Sequence, residues 1–437
     1  MSTSTAPGEH VADGRTRTPG QLCAAGQDGY GQVRDILQAA EGQEVTAIAA
    51  GAHHSLAVTA GGQMLAAGYD SDGQAHGMWK AAQGRRISAV AAGPLFSLAV
   101  TGDGRLLGTG LDDFRQVAGI VEAAHGLHVV TAACGGFHAL AVTADGRLLA
   151  AGQDRHGSVS GILAAAGGAK VAAVAAGELH SLAVTEDGRL LAAGLDDLGQ
   201  VSGILQAAQG RRIVSVAAMG MHSLAVTEDG ELLGSGRDDH HQVSGLLRAA
   251  QGKRIRAASV GSLHGLAVTQ DGRLLAAGRD RDGQVSEIAA AVAGRTVLAV
   301  AAGGAHSLAV VAPDGPRGRA VRADFADAAG GRERLSLQFL RAADGIDTTL
   351  VAGQPARDFG IREGVPVQLV VRRMAAGRDE VLGDGSMCFT YDEITGVVGV
   401  DTRASRPPSG LLCTGHGANR FTFTWTAMAT ATATGRE

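Results

Sequence analysis

A chain of 437 residues is long enough for two or three separately cored domains, and its net charge of −5 offers no global bias toward nucleic acid or an anionic membrane. Aromatic residues make up only 3%, against 66 glycines, so tight backbone packing is expected to replace large side chains. No run approaches the ~18 apolar residues of a membrane helix, and residues 1–20 lack the basic start and apolar core of a secretory signal. A cytoplasmic protein is expected. The four cysteines, Cys23, Cys134, Cys388 and Cys413, are too scattered for a disulfide framework or a zinc site, and buried thiols are the expectation.

Taken in order, residues 1–19 read as a patternless tail. Thereafter one unit returns every 42 residues, carrying His54, His138, His180, His222, His264 and His306, with Phe96 in the remaining slot. A period of that size signals a solenoid or a propeller. Each unit offers three strand-like pieces: a short small-residue piece such as 171–176, then His-Ser-Leu-Ala-Val-Thr, then Leu-Leu-Ala-Ala-Gly. The first ends at Gly51, Gly93, Gly135, Gly177, Gly261 and Gly303, with Met219 as the exception. Between the second and third sits Asp-Gly, as at Asp187-Gly188, a strong hairpin signal. In the second piece Leu182 and Val184 point one way and Ala183 the other. A sheet with one bulky and one small face stacks on copies of itself.

Counting predicts how the ring shuts. The Leu-x-Ala-Ala-Gly piece first occurs at 21–26, before any partner, and the last His piece, 306–311, has none after it. Residues 20–313 are therefore expected to form a seven-bladed β-propeller, closed by the N-terminal strand, which leaves no open edge.

The run Val-Ala-Ala-Gly-x-x-His-Ser-Leu-Ala-Val-Thr-x-Asp-Gly, followed by Gly-Gln-Val, resembles the repeat of the regulator of chromosome condensation family over residues 21–311. The short period is similar to that of bacterial propellers that inhibit β-lactamases. The family's Trp-Gly is Ala-Gly here, at Ala67-Gly68 and Ala193-Gly194, and no unit carries the insertion that a nucleotide-exchange factor uses on its GTPase. The resemblance implies a protein-binding propeller without exchange activity.

Beyond about residue 318 the pattern stops. Segments 334–342, 348–352, 366–373, 386–391, 396–401, 410–413 and 421–428 read as strands, with loops at 383–385 and 406–408. Residues 320–437 are thus expected to be a smaller β-sandwich, and the chain as a whole all-β.

The repeated histidines cannot converge on one metal ion, since each is separated from the next by a whole blade; a bond to the nearby backbone is expected. The series Asp28, Asp70, Asp112, Asp154, Asp196, Asp238 and Asp280 reads as side chains fixing their own turns. The run from Asp238 to His241 reads as a solvated loop. No nucleophile elbow, phosphate loop or acid–base pair occurs, so no enzyme activity, metal or cofactor is expected.

What differs between units is where specificity can lie. Strand direction puts two variable loops on one upper rim. The first supplies His53, Leu95, Phe137, Leu179, Met221 and Leu263; the second supplies Tyr30, Phe114, His156, Leu198 and His240, with Tyr69 beside them. These residues are the expected contact surface for a protein partner of a monomeric chain, with neither membrane nor nucleic acid as partner. A glycan or small ligand is the alternative. Arg105, Arg147, Arg189, Arg273, Arg211 and Arg212 fall on the opposite side, predicting an acidic upper and a basic lower rim.

Overall fold

The computed structural model describes residues 15–312 and, beyond them, strands between Arg319 and Trp425. The chain divides into two compact units, Met1–Pro313 and Asp314–Glu437.

In the first unit every repeat folds into an inner, a middle and an outer strand. The fourth repeat is representative: Val171–Ala176, His180–Thr185 and Leu190–Gly194 pair antiparallel, with Leu182 opposite Ala175 on one side and Ala192 on the other. The hairpin between middle and outer strands closes as its sequence demands. Gly188 sits at φ +85°, Thr185 and Arg189 pair across the turn, and the Thr185 hydroxyl donates to the Asp187 carboxylate. Left-handed backbone at the end of a short loop is glycine's role.

Every middle strand is buried along its whole length. The cause is the bulky and small faces predicted above: Leu182 and Val184 of one sheet pack in one cluster with Val216 and Ala225 of the next. A fully buried Leu in such a place contributes about 2–5 kcal/mol relative to Ala. The inner strands jointly line an axial cavity of about 130 Å³, walled mostly by alanine and valine, with Cys134, Met219 and Ser259 among the exceptions. The first unit is therefore a set of repeated three-stranded sheets stacked side by side, consistent with a propeller.

The two ends of the repeat array pair with each other. Residues 21–26 pair antiparallel with 306–311, from Gln21 opposite Val311 to Gly26 opposite His306. The strand itself, however, begins at Arg15, so residues 15–19 are not tail. Its first part pairs with the first inner strand, Arg15 opposite Ala47 and Gly20 opposite Val45, and this joins the last and first sheets into one six-stranded sheet. A register shift between Arg15 and Gly20 removes the alternation by which a strand is recognised. The tail expected over residues 1–14 lies outside the described residues.

The segment returning from each outer strand is helical, which the strand-only reading missed. Arg34–Ala39, His76–Ala81, Ala118–Ala123, Ser160–Ala166, Ser202–Ala207, Ser244–Ala250 and Ser286–Ala291 are single short helices. Each buries one large side chain completely: Ile36, Met78, Ile120, Ile162, Ile204, Leu246 and Ile288. The sheets still dominate, and the class is all-β.

In the second unit Arg357–Ile361, Arg319–Asp327, Arg420–Trp425 and Leu411–Gly415 form one four-stranded sheet in that order. Asp347–Val351, Arg334–Leu340, Val367–Ala375 and Arg378–Met387 form another, and Phe389–Asp392 pairs with Val397–Val400. Strands at Arg319–Asp327, Arg357–Ile361 and Arg378–Met387 were not expected. The last contains the supposed loop 383–385, whose residues pair with Val371, Val370 and Leu369 beside a register shift. Glycine inside a strand commonly marks such an irregularity. Cys388 and the supposed loop 406–408 lie outside the described residues.

Candidate functional site

Both variable loops are built on one recurrent hydrogen bond. The residue after each outer strand donates its N–H to the carbonyl of the residue before the histidine slot of the same sheet: Tyr69 to His53, Leu111 to Leu95, Gln153 to Phe137, Leu195 to Leu179, Arg237 to Met221, Arg279 to Leu263 and Gln27 to Ala305, all at 2.8–2.9 Å. The outer strand must end in glycine for this. A Cβ on Gly194 would stand 2.5 Å from the Leu179 carbonyl, and the φ there is +118°.

Residues of the two loops come into ring contact. Tyr30, His53 and Tyr69 form one aromatic group, with ring centroids 4.9 Å apart for the tyrosines and 5.5 Å for Tyr30 and His53. Phe114 and Phe137 form a second, edge to face at 5.5 Å. Tyr30, Phe114 and Leu198 are exposed at 51%, 43% and 47%, more than any other large apolar side chain among the described residues. His156 and His240 are exposed too, whereas His53, Tyr69, Leu95, Phe137, Leu179, Met221 and Leu263 are half-buried. The second loop thus presents its side chains, and the first supports them from below.

The aspartate series is structural in a way the sequence did not disclose. Each carboxylate accepts the N–H groups five and six residues on, where the short helix starts: Asp196 takes Val201 at 2.8 Å and Ser202 at 2.9 Å, and Asp28, Asp70, Asp112, Asp154, Asp238 and Asp280 repeat the pattern. The series caps helices instead of fixing its own turns, satisfying N–H groups that a helix cannot pair internally.

The histidines likewise bond not to nearby backbone but across to the neighbouring sheet. His54 Nε2 meets Ser97 Oγ at 2.8 Å, His138 meets Ser181 at 2.8 Å, His180 meets Ser223 at 2.9 Å and His264 meets Ser307 at 2.9 Å. His306 meets Ser55 at 2.9 Å and so links the last sheet to the first. Ser55, Ser181, Ser223 and Ser307 each donate onward to a main-chain carbonyl of the preceding return segment, at Gln32, Ser158, Gln200 and Gln284. The hydroxyl proton being used there, Nε2 carries the imidazole proton and the ring is neutral. Burial pushes these histidines down, to about 3 for His54, His180 and His264 and about 4 for His138 and His306.

The expected charge polarity is corrected. On the lower rim Arg105 pairs with Asp103, Arg273 with Asp271, Arg211 with Glu231 and Arg212 with Glu228. For Arg105 and Arg273 the Asp-Gly turn that carries the arginine supplies the counter-charge, whereas Arg211 and Arg212 find theirs on the hairpin around Asp229-Gly230. On the upper rim Arg237 pairs with Asp239 and holds its carboxyl down to about 2.

Among the described residues no three histidine, cysteine or acidic side chains lie close enough to hold a metal ion, and no helix is long and apolar enough to cross a membrane.

The regulator of chromosome condensation (RCC1) repeat matches residues 45–74, 129–158, 171–200 and 255–284. Among solved structures the fold is similar to that of Prp20p from Saccharomyces cerevisiae, whose binding to Gsp1p and histones has been characterised. The identity is 18% with a TM-score of 0.56, over 68% of this chain and 92% of that one. The yeast RCC1 (Prp20) bound to Kap60 gives 17% and 0.55, over 71% and 94%. No curated protein matches the chain. The matched repeats and the shared fold identify the chain as an RCC1-like repeat propeller.

Proposed function

We propose that this chain is a non-catalytic protein-binding propeller, a scaffold or inhibitor, of seven blades closed by the N-terminal strand and followed by a β-sandwich unit. Its partner docks on the upper rim. One observation carries the reading: the exposed side chains Tyr30, Phe114 and Leu198 all stand at the same loop position in different repeats, while the framework beneath is nearly constant. A constant frame with large apolar tips fits partner selection better than core packing, since exposed apolar groups gain nothing for the fold. The two tyrosines beside His53 form the natural anchor.

Affinity capture with purified full-length chain tests this. A protein partner retained by the wild type and lost with Tyr30→Ala and Leu179→Asp, with melting unchanged for Tyr30→Ala, is the expected result. Retention by both variants, or binding only on a glycan array, would refute the docking surface.

A further inference from the structure

At each histidine–serine joint the histidine of one sheet meets the hydroxyl that follows the histidine slot of the next. His222 is the exception. The position that should face it is Gly265, where five of the other six copies carry serine. His222 is wholly buried, and among the buried histidines of the described residues it is the one with neither ring nitrogen hydrogen-bonded. The main-chain oxygen that the missing hydroxyl would also have served is that of Gln242, which lies 3.3 Å from where a Cβ on Gly265 would stand.

The same chain loses the same bond elsewhere without this consequence. Phe96 occupies a histidine slot and Ala139 the serine slot opposite it, both fully buried, so that joint is apolar on both sides. At His222 the imidazole has been kept and only the hydroxyl lost. An unpaired buried polar group is destabilising, and buried polar groups in a small gap ordinarily hold a water between them. Leu246, where most other copies have isoleucine, brings its Cδ2 within 3.1 Å of the same Cβ position, which limits any occupant to one small molecule.

We propose that a single buried water takes the place of the absent serine hydroxyl, accepting from His222 Nε2 and donating to the Gln242 carbonyl oxygen. This joint is then hydrated where its neighbours are direct.

Two measurements on the full chain test the assignment. In the wild type, an intermolecular NOE between water and the His222 ring is expected, and its absence would overturn the proposal. Oxygen-17 relaxation dispersion counts long-lived internal waters. Gly265→Ser and the double variant His222→Phe with Gly265→Ala should each hold one fewer than the wild type. If the serine Cβ crowds Leu246 and that variant fails to fold, the double variant carries the test, since it copies a pair the chain already accommodates at Phe96 and Ala139. An unchanged count in the double variant means that Leu246 closes the gap dry, and the proposal fails.

Discussion

Two adjacent joints in the ring do the same task with opposite chemistry. Between the second and third repeats Phe96 packs toward Ala139; between the third and fourth, His138 bonds to Ser181 at 2.8 Å. All four side chains are at most 1% exposed. What the architecture requires is a matched pair, both polar or both apolar, because either half of the polar pair alone is a buried group without a partner. Phe96 is therefore not an isolated departure from the repeat but one half of a compensated exchange, and its other half lies a full repeat further along the chain.

The harshest way to break the comparison is to remove a joint entirely. Deleting residues 1–26 takes away the strand paired with 306–311, and with it the sheet that positions His306 against Ser55. Melting should fall by many degrees or the chain should fail to fold, whereas deleting residues 1–14 should leave melting unchanged, as read by calorimetry.

Acid separates the two kinds of joint next. Six buried histidines are neutral in the fold, each with burial holding it at about 3 or 4, His222 against the pull of Asp238. In the unfolded chain they would titrate near 6.5. Their contribution is fully present above about pH 6.5 and is lost as pH falls toward about 4, by about 1.4 kcal/mol per histidine per pH unit. Urea midpoints should therefore drop steeply in that window, and His138→Phe with Ser181→Ala should flatten the slope by one proton. Midpoints independent of pH between 6.5 and 4 would contradict a neutral buried ring.

The mildest change sharpens the comparison most. His138→Phe or Ser181→Ala alone should each cost about 1–3 kcal/mol in urea unfolding, and the two together less than their sum. Phe96→His should be similarly costly and be rescued by Ala139→Ser. Strict additivity would show that the pairs do not act as pairs.

Much of this molecule was open to the eye in the sequence. The period, the Asp-Gly hairpins, the alternation of Leu182, Ala183 and Val184, and the out-of-phase count of strands led to the sheets and to the clasp of the two ends. Tyr30, His53 and Tyr69, singled out from separate loops, stand in ring contact. The return helices were hidden because six or seven residues with one buried anchor, such as Ile204, are too short to show helical periodicity. The reach of Asp196 to Val201 was hidden with them. The histidine–serine bond had a visible signal, the joint exchange at Phe96 and Ala139, but it crosses from one repeat to the next and is lost when each repeat is read alone. The lower-rim charge was misjudged because the arginines were counted without the acids of their own turns, as at Asp271 and Arg273.

The clasp between residues 21–26 and 306–311 also has a meaning in time. Most pairings in the ring are local hairpins that can form as the chain emerges from a ribosome, but this one joins segments at opposite ends of the repeat array. The first strand must wait, one edge unsatisfied, until the last middle strand has been made. Folding of the ring is thus governed by a late contact of very high sequence separation, and during synthesis the open edges are the places where the nascent chain is exposed to pairing with its own copies.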